Sequence, residues 1–241
     1  MSYDLIASDR APGLHVQAGI EIPDDTRIAP HVTIYAGVRL GAKVSIEQGA
    51  IVGRPQQVDE RSRSPRRPAG EPTLIGDGCR IGSGSVIMAG ARIAEDTYVG
   101  DLAAIREDAQ IGSETMIGRG CSVTHNTVIG DRVRVQTDTL VGAWTTVEDD
   151  VFVGARVVFV GDPTMGRAPV DPERNRTVVR RASRIGSGAI LIPPLEIGED
   201  SVIAAAAVVR ADVPPRTVVA GVPATAVRSL GADELLETAR T

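Results

Sequence analysis

From Ile75 to Val153, every sixth residue is Ile or Val, at fourteen positions without exception. The series opens Ile75, Ile81, Ile87, Ile93, Val99, Ile105 and continues unbroken. Four residues after each aliphatic stands a small or β-branched residue, as at Cys79, Ser85, Ala91, Thr97 and Ala103. The same register runs from Ile22 to Val52 and again from Ile185 to Val209. A period of six is neither the helical period nor simple alternation. It fits short strands joined by tight corners, each flat side turning one aliphatic and one small residue inward. Three sides close a triangular turn of eighteen residues, and successive turns stack at the strand spacing, roughly 4.8 Å. Each turn buries its apolar face only against its neighbours, which is the logic of a solenoid. Glycines directly after the aliphatic, such as Gly76, Gly82 and Gly112, are expected to serve the corners through positive φ.

Composition sharpens this picture. Apolar residues make up 42% of the chain but aromatics only 2%, so a core built mostly from Val, Ile and Ala must be narrow and regular. Cys79 and Cys121 both fall at the inward small position and are expected to be buried and inert. Two cysteines are too few for a disulfide framework. A net charge of −5 argues against nucleic acid as a partner. No apolar run approaches a membrane span, and MSYDLIASDR lacks the basic and apolar regions of a secretory signal. The expectation is a cytoplasmic protein with neither a membrane nor a nucleic-acid partner.

Two stretches break the register. Residues 55–73 and 162–184 are rich in Pro and Arg and read as loops thrown out from a corner of the coil. Residues 1–228 are thus expected to form one coiled domain carrying both loops. Residues 229–241 are expected to add a short amphipathic helix that caps its open end.

Only three histidines occur. His15 and His31 lie near the N-terminal end and are expected to be structural. His125 sits mid-coil, and eighteen-residue turns place Glu107 one strand spacing away at the equivalent corner. A carboxylate there would orient an imidazole and raise its basicity. The adjoining column holds Asp108, Asn126, Trp144 and Asp162, so polar groups and the only tryptophan gather beside the origin of the second loop. No histidine pair has the close, convergent spacing of a metal site, and no metal is expected. GSGSVIMAG near Gly82 resembles a nucleotide-binding glycine pattern but lacks a strand-turn-helix context.

The repeat itself resembles that of the hexapeptide acyltransferases over roughly residues 20–225. The resemblance implies an all-β, left-handed parallel β-helix assembled as a homotrimer. HNTVIGDRVRV, from His125 to Val135, is similar to the stretch around the catalytic histidine of the UDP-sugar acyltransferases of the lipid A pathway. That match makes His125 the candidate general base and Asn126 a neighbour that contacts substrate. IGEDSVIAAAAVVRADVPPRTVVAGVPA, residues 197–224, is similar to the C-terminal signature of CoA-dependent members. It implies that Gly186, Ala205, Ala207 and Arg210 line the acyl-CoA arm and that Arg228 reaches phosphate. Ala204 and Ala206 stand where that signature usually has glycine. VEDDVFVGARVVFVGDPTMGRA, from Val147, resembles nucleotide-sugar N-acetyltransferases, with Asp162 matching and Gly161 in place of the usual Asn.

The implied activity is transfer of an acyl group, most simply acetyl, from CoA to the amine of a nucleotide-linked sugar. His125 would deprotonate the amine, Glu107 would orient His125, and a coil amide would hold the oxyanion. Trp144, Asp162 and Arg167 with the second loop would position the acceptor. An O-acyltransferase, an enzyme acting on another small-molecule amine, and a non-catalytic binding scaffold are the alternatives the residues leave open, and the donor is CoA or an acyl carrier protein.

Overall fold

The computed structural model describes residues 5–57 and 71–236. Their strands form three sheets that wall a triangular prism. Wall A has eleven strands, from Leu5–Ser8 and Leu14–Gln17 to Val208–Val209. Wall B has eleven, from Arg27–Ile28 to Ala224–Ser229, and wall C eight, from Val38–Leu40 to Leu195–Ile197. The chain visits B, A and C in turn, and pairing within the coil is parallel. Ala104 pairs with Ser122 and Ser122 with Leu140, one full turn apart. An antiparallel strand closes each end: Leu5–Ser8 on Leu14–Gln17, and Ala224–Ser229 on Thr217–Gly221. The architecture is a left-handed parallel β-helix: the period implied the three-sided coil and the family resemblance its hand. No helix among the described residues is long and apolar enough to cross a membrane.

The six-residue aliphatics point inward: Ile81, Ile87, Val99, Ile105 and Ile117 have no exposed surface. The series extends one step further than the sequence suggested, to a fully buried Phe159. At the small position, hydroxyls and thiols donate to a carbonyl of the following turn. Thr97 bonds Gly112 O at 2.7 Å, Thr115 bonds Gly130 O at 2.8 Å, and Cys79 and Cys121 make the same bond to Ala94 O and Gln136 O. The cysteines thus sit in a threonine's role.

The glycines after the aliphatic do not have the conformation expected of them. None of Gly76, Gly82 and Gly112 is at positive φ; that conformation falls two residues later, at Gly78, Gly84 and Glu114. What Gly112 supplies is close approach, since a Cβ there would lie 2.5 Å from the carbonyl carbon of Gly130.

Both loops leave the prism at the edge between walls A and C. The first follows Ile51–Arg54 and ends at Thr73–Ile75; its residues 58–70 lie outside the described ones. The second is shorter than the sequence suggested. Wall A continues through Val158–Phe159, and wall C resumes at Thr177–Val179, paired with Thr145–Val147 and Leu195–Ile197. Only 160–176 leave the wall. At the C-terminus Ser229 belongs to the last strand, and the helical residues among those described are a 3-10 turn at Ala232–Glu234 and Leu236. Residues 237–241 lie outside the described ones.

Candidate active site

Four successive turns present their A–C corners along one edge: Arg106–Asp108, Thr124–Asn126, Gly142–Trp144, and Val160–Asp162 with the second loop. Strand register sets this column, because Arg106 N bonds Val123 O and Thr124 N bonds Val141 O. His125 is 8% exposed. Its ring meets Trp144 edge-to-face, with centroids 5.0 Å apart and planes at 87°.

Asn126 Nδ2 lies 3.0 Å from His125 Nδ1. With the amide nitrogen donating, Nδ1 accepts and the ring proton sits on Nε2. With the amide turned over, its oxygen accepts from Nδ1–H and Nε2 carries the lone pair. Only the second arrangement makes Nε2 a base. Asp108, Asn126 and Trp144 all have left-handed φ, at 56°, 55° and 58°. Asp and Asn tolerate that region, whereas a bulky ring pays about 1–2 kcal/mol there.

Glu107 is 2% exposed, and its carboxylate is held by Arg106 and Gln56, not by the imidazole. Arg106 clamps it through Nε at 2.8 Å and Nη2 at 2.7 Å, and Gln56 donates to the same carboxylate at 2.7 Å. Burial alone would push its carboxyl up, but these donors outweigh burial and hold it below the usual carboxylate range. Glu107 is therefore a carboxylate tied to Arg106 and to the root of the first loop. Sequence reasoning named neither Arg106 nor Gln56. Arg106 was legible as the neighbour of Glu107, while Gln56 lies outside the repeat and gave no signal.

Asp162 accepts from Thr164 N and Oγ1 and from Gly166 N, so it shapes the start of the second loop. Arg167 is exposed on that loop and lines a shallow groove with Ala168, Pro169 and Val170.

The residues expected around the acyl donor do not share one edge. Arg210 is exposed on the A–C edge, four turns beyond Thr124, roughly 19 Å at the strand spacing. Gly186 and Ala205 lie on the edge between walls B and A, where the Gly186 backbone abuts Ala204 and Ala205. Ala207 has no exposed surface and belongs to the core, so its side chain lines no groove. Arg228 sits on the outer strand of wall B, gripped by both oxygens of Glu234 at 2.6 and 2.7 Å. His15 and His31 are exposed near the N-terminal end, away from this edge.

Comparison with known proteins agrees with the fold. A family described as the hexapeptide repeat of succinyl-transferase matches residues 72–100. Over 46 residues the chain is 50% identical to a Schizosaccharomyces pombe protein provisionally assigned as an acetyltransferase. That match covers 19% of this chain and spans about a fifth, 22%, of the relative's length. UDP-N-acetylglucosamine acyltransferase of Arabidopsis superposes with a TM-score of 0.60 at 20% identity, covering 96% of this chain and 71% of that one. LpxA of Acinetobacter baumannii gives 0.57 at 18%, covering 86% and 73%. AntD of Bacillus cereus, an N-acyltransferase solved with dTDP and coenzyme A, gives 0.50 at 19%, covering 58% and 83%. The repeat matches over one short stretch, and the superpositions, all at 20% identity or below, are a likeness of fold.

Proposed function

We propose that the protein is an acyl-CoA-dependent N-acyltransferase, transferring acetyl to the amine of a nucleotide-linked sugar. The observation that carries the reading is the nearly buried His125, packed on Trp144 beside Asn126 at the edge from which both loops emerge. The nucleotide and coenzyme A bound by AntD, and the UDP-sugar activity in the names of the other neighbours, support the substrate classes.

The amine nitrogen attacks the thioester carbonyl while His125 Nε2 takes its proton, the Asn126 amide having turned over from Nδ2 to Oδ1 so that it holds the proton on Nδ1. The tetrahedral oxyanion is held by a coil amide. Collapse breaks the carbon–sulfur bond, and the departing thiolate receives the proton from the imidazolium. Arg210, on the same edge, suits the phosphates of a donor lying along the coil.

Assembly as a homotrimer is part of the proposal. The outward column of wall A runs Val86, Ala104, Leu140, Val158, Ile190 and Val208, broken only by Ser122 and free of charge. The edges carrying His125 and Ala205 flank it. A second copy packed there would bring the two halves of the donor site together.

The test is His125→Ala, assayed with acetyl-CoA and a panel of UDP- and dTDP-amino sugars. Turnover should fall on the order of a hundredfold or more, with the melting temperature still raised by CoA. Turnover close to the unaltered protein's would defeat the reading.

A further inference from the structure

Beside His125 stands a cation that the mechanism above does not use. Among the described residues, two buried carboxylates hold arginines. Asp150 holds Arg132 and Arg181 on the C–B edge, and Glu107 holds Arg106 on the A–C edge. Only Arg106 lies one turn from His125, its backbone amide bonded to Val123 O of the strand that leads into His125. Its side chain is 31% exposed. The clamp engages Nε and Nη2 and leaves Nη1 outside it. A guanidinium with one edge fixed by a buried carboxylate presents its remaining N–H groups in a set direction, which suits a planar or tetrahedral oxyanion. Asp108 does not oppose this, because its carboxylate turns to the preceding turn, where a Cβ on Gly90 would lie 2.9 Å from Oδ1.

We infer that Arg106 is the anchor for the diphosphate of the acceptor, with Glu107 and Gln56 as positioning residues that hold its guanidinium in place. The inference rests on the proposed nucleotide-sugar acceptor. It gives Glu107 a task different from orienting the imidazole. It also ties that task to the first loop, because Gln56 is where that loop leaves the coil.

The experiment is calorimetric titration of the full chain with UDP, uridine and CoA, without turnover. In Arg106→Ala, UDP should bind about tenfold or more weakly, in line with the loss of charge-assisted hydrogen bonds, while uridine and CoA are unaffected. Arg106→Lys should be intermediate, since it keeps the charge and loses the fork. Should Arg106→Ala fail to fold because Glu107 is left buried and unpaired, Arg106→Ala with Glu107→Leu removes both partners and carries the same expectation. UDP affinity unchanged in the variants, UDP binding no tighter than uridine, or a loss confined to CoA would each overturn the inference. Acyl transfer is read separately. Activity with an unaltered acceptor KM in Arg106→Ala sinks only the anchor, and Arg106-dependent UDP binding without acyl transfer sinks only the activity.

Discussion

Glu107→Gln separates two tasks for this carboxylate, clamping Arg106 or orienting His125. The native group accepts from Arg106 Nε and Nη2 and from Gln56. Glutamine keeps the shape but turns an NH2 toward at least one of those donors. The lost charge-assisted bonds are worth about 1.5–3 kcal/mol. Arg106 is partly exposed and water will solvate it in the variant, so about 1–2 kcal/mol is the better expectation. For a chain of this length that is a fall of roughly 2–8 °C in Tm. The pH dependence has a definite sign. Glu107 is held below its ordinary value in the folded state, so its contribution is present above the unfolded carboxylate pKa. That contribution is lost as pH falls through the lowered folded value. Melts at a series of pH values should show the gap between the two proteins at neutral pH closing in the acid range. No gap at neutral pH, or one that survives acid, refutes the clamp. Kinetics supply the second arm. If Glu107 oriented the imidazole, its loss would lower the histidine pKa, and the rising limb of kcat/KM would move to lower pH. The clamp predicts a limb that stays in place while acceptor KM rises.

The remaining predictions concern the coil. Burial pushes the Cys79 thiol up to about 11 and raises that of Cys121, so neither should react with a disulfide reagent at pH 8 until guanidinium unfolds the chain; rapid labelling of native protein would contradict this placement. Cys79→Ser, which keeps a donor toward Ala94 O, should cost about 1 kcal/mol or less in chemical denaturation. Gly112→Ala drives a Cβ into the backbone of Gly130 and should cost about 3 kcal/mol or more. Gly188→Ala, at φ 72° with nothing within 4 Å, should cost only about 1–2 kcal/mol; equal melting temperatures for the two variants would show that close approach is not what Gly112 provides.

The walls were legible because period six is a geometric statement: it fixes which residues face inward and which share a corner. The corner of Glu107, His125 and Trp144 followed from it. The same rule, applied to the donor residues, sets Ala207 inward and divides Gly186, Ala205 and Arg210 between two edges. Ala207 is four residues after Ile203 and so inward. Arg210 is one side further round than Ala205, hence on another edge. There the similarity of 197–224 to a known signature outweighed the count. Loop ends were harder to place: Phe159 continues the series with an aromatic, and Val179, in register six residues before Ile185, sits in a stretch rich in Pro and Arg that reads as loop. Of the partners of Glu107, Arg106 is its neighbour in sequence, but the period gave no sign of the pairing. Its neighbour by period is His125, but an excursion outside the period delivers Gln56, and Arg106 folds its side chain back onto it.

Trp144 draws these threads together. Its left-handed backbone costs about 1–2 kcal/mol relative to an ordinary corner. Its edge-to-face contact with His125 returns about 0.5–1.5 kcal/mol. Those two terms nearly cancel, so the ring adds little net stability at a position where the neighbouring turns use Asp108 and Asn126. What the ring changes is the surroundings of the imidazole, which it leaves only 8% exposed. In the proposed reaction that matters twice. A dry ring keeps the Asn126 bond strong enough to fix the tautomer. It also keeps water from competing with an amine for the same thioester. A corner residue that adds so little to the coil and touches the imidazole edge-to-face is one that the proposed site would account for.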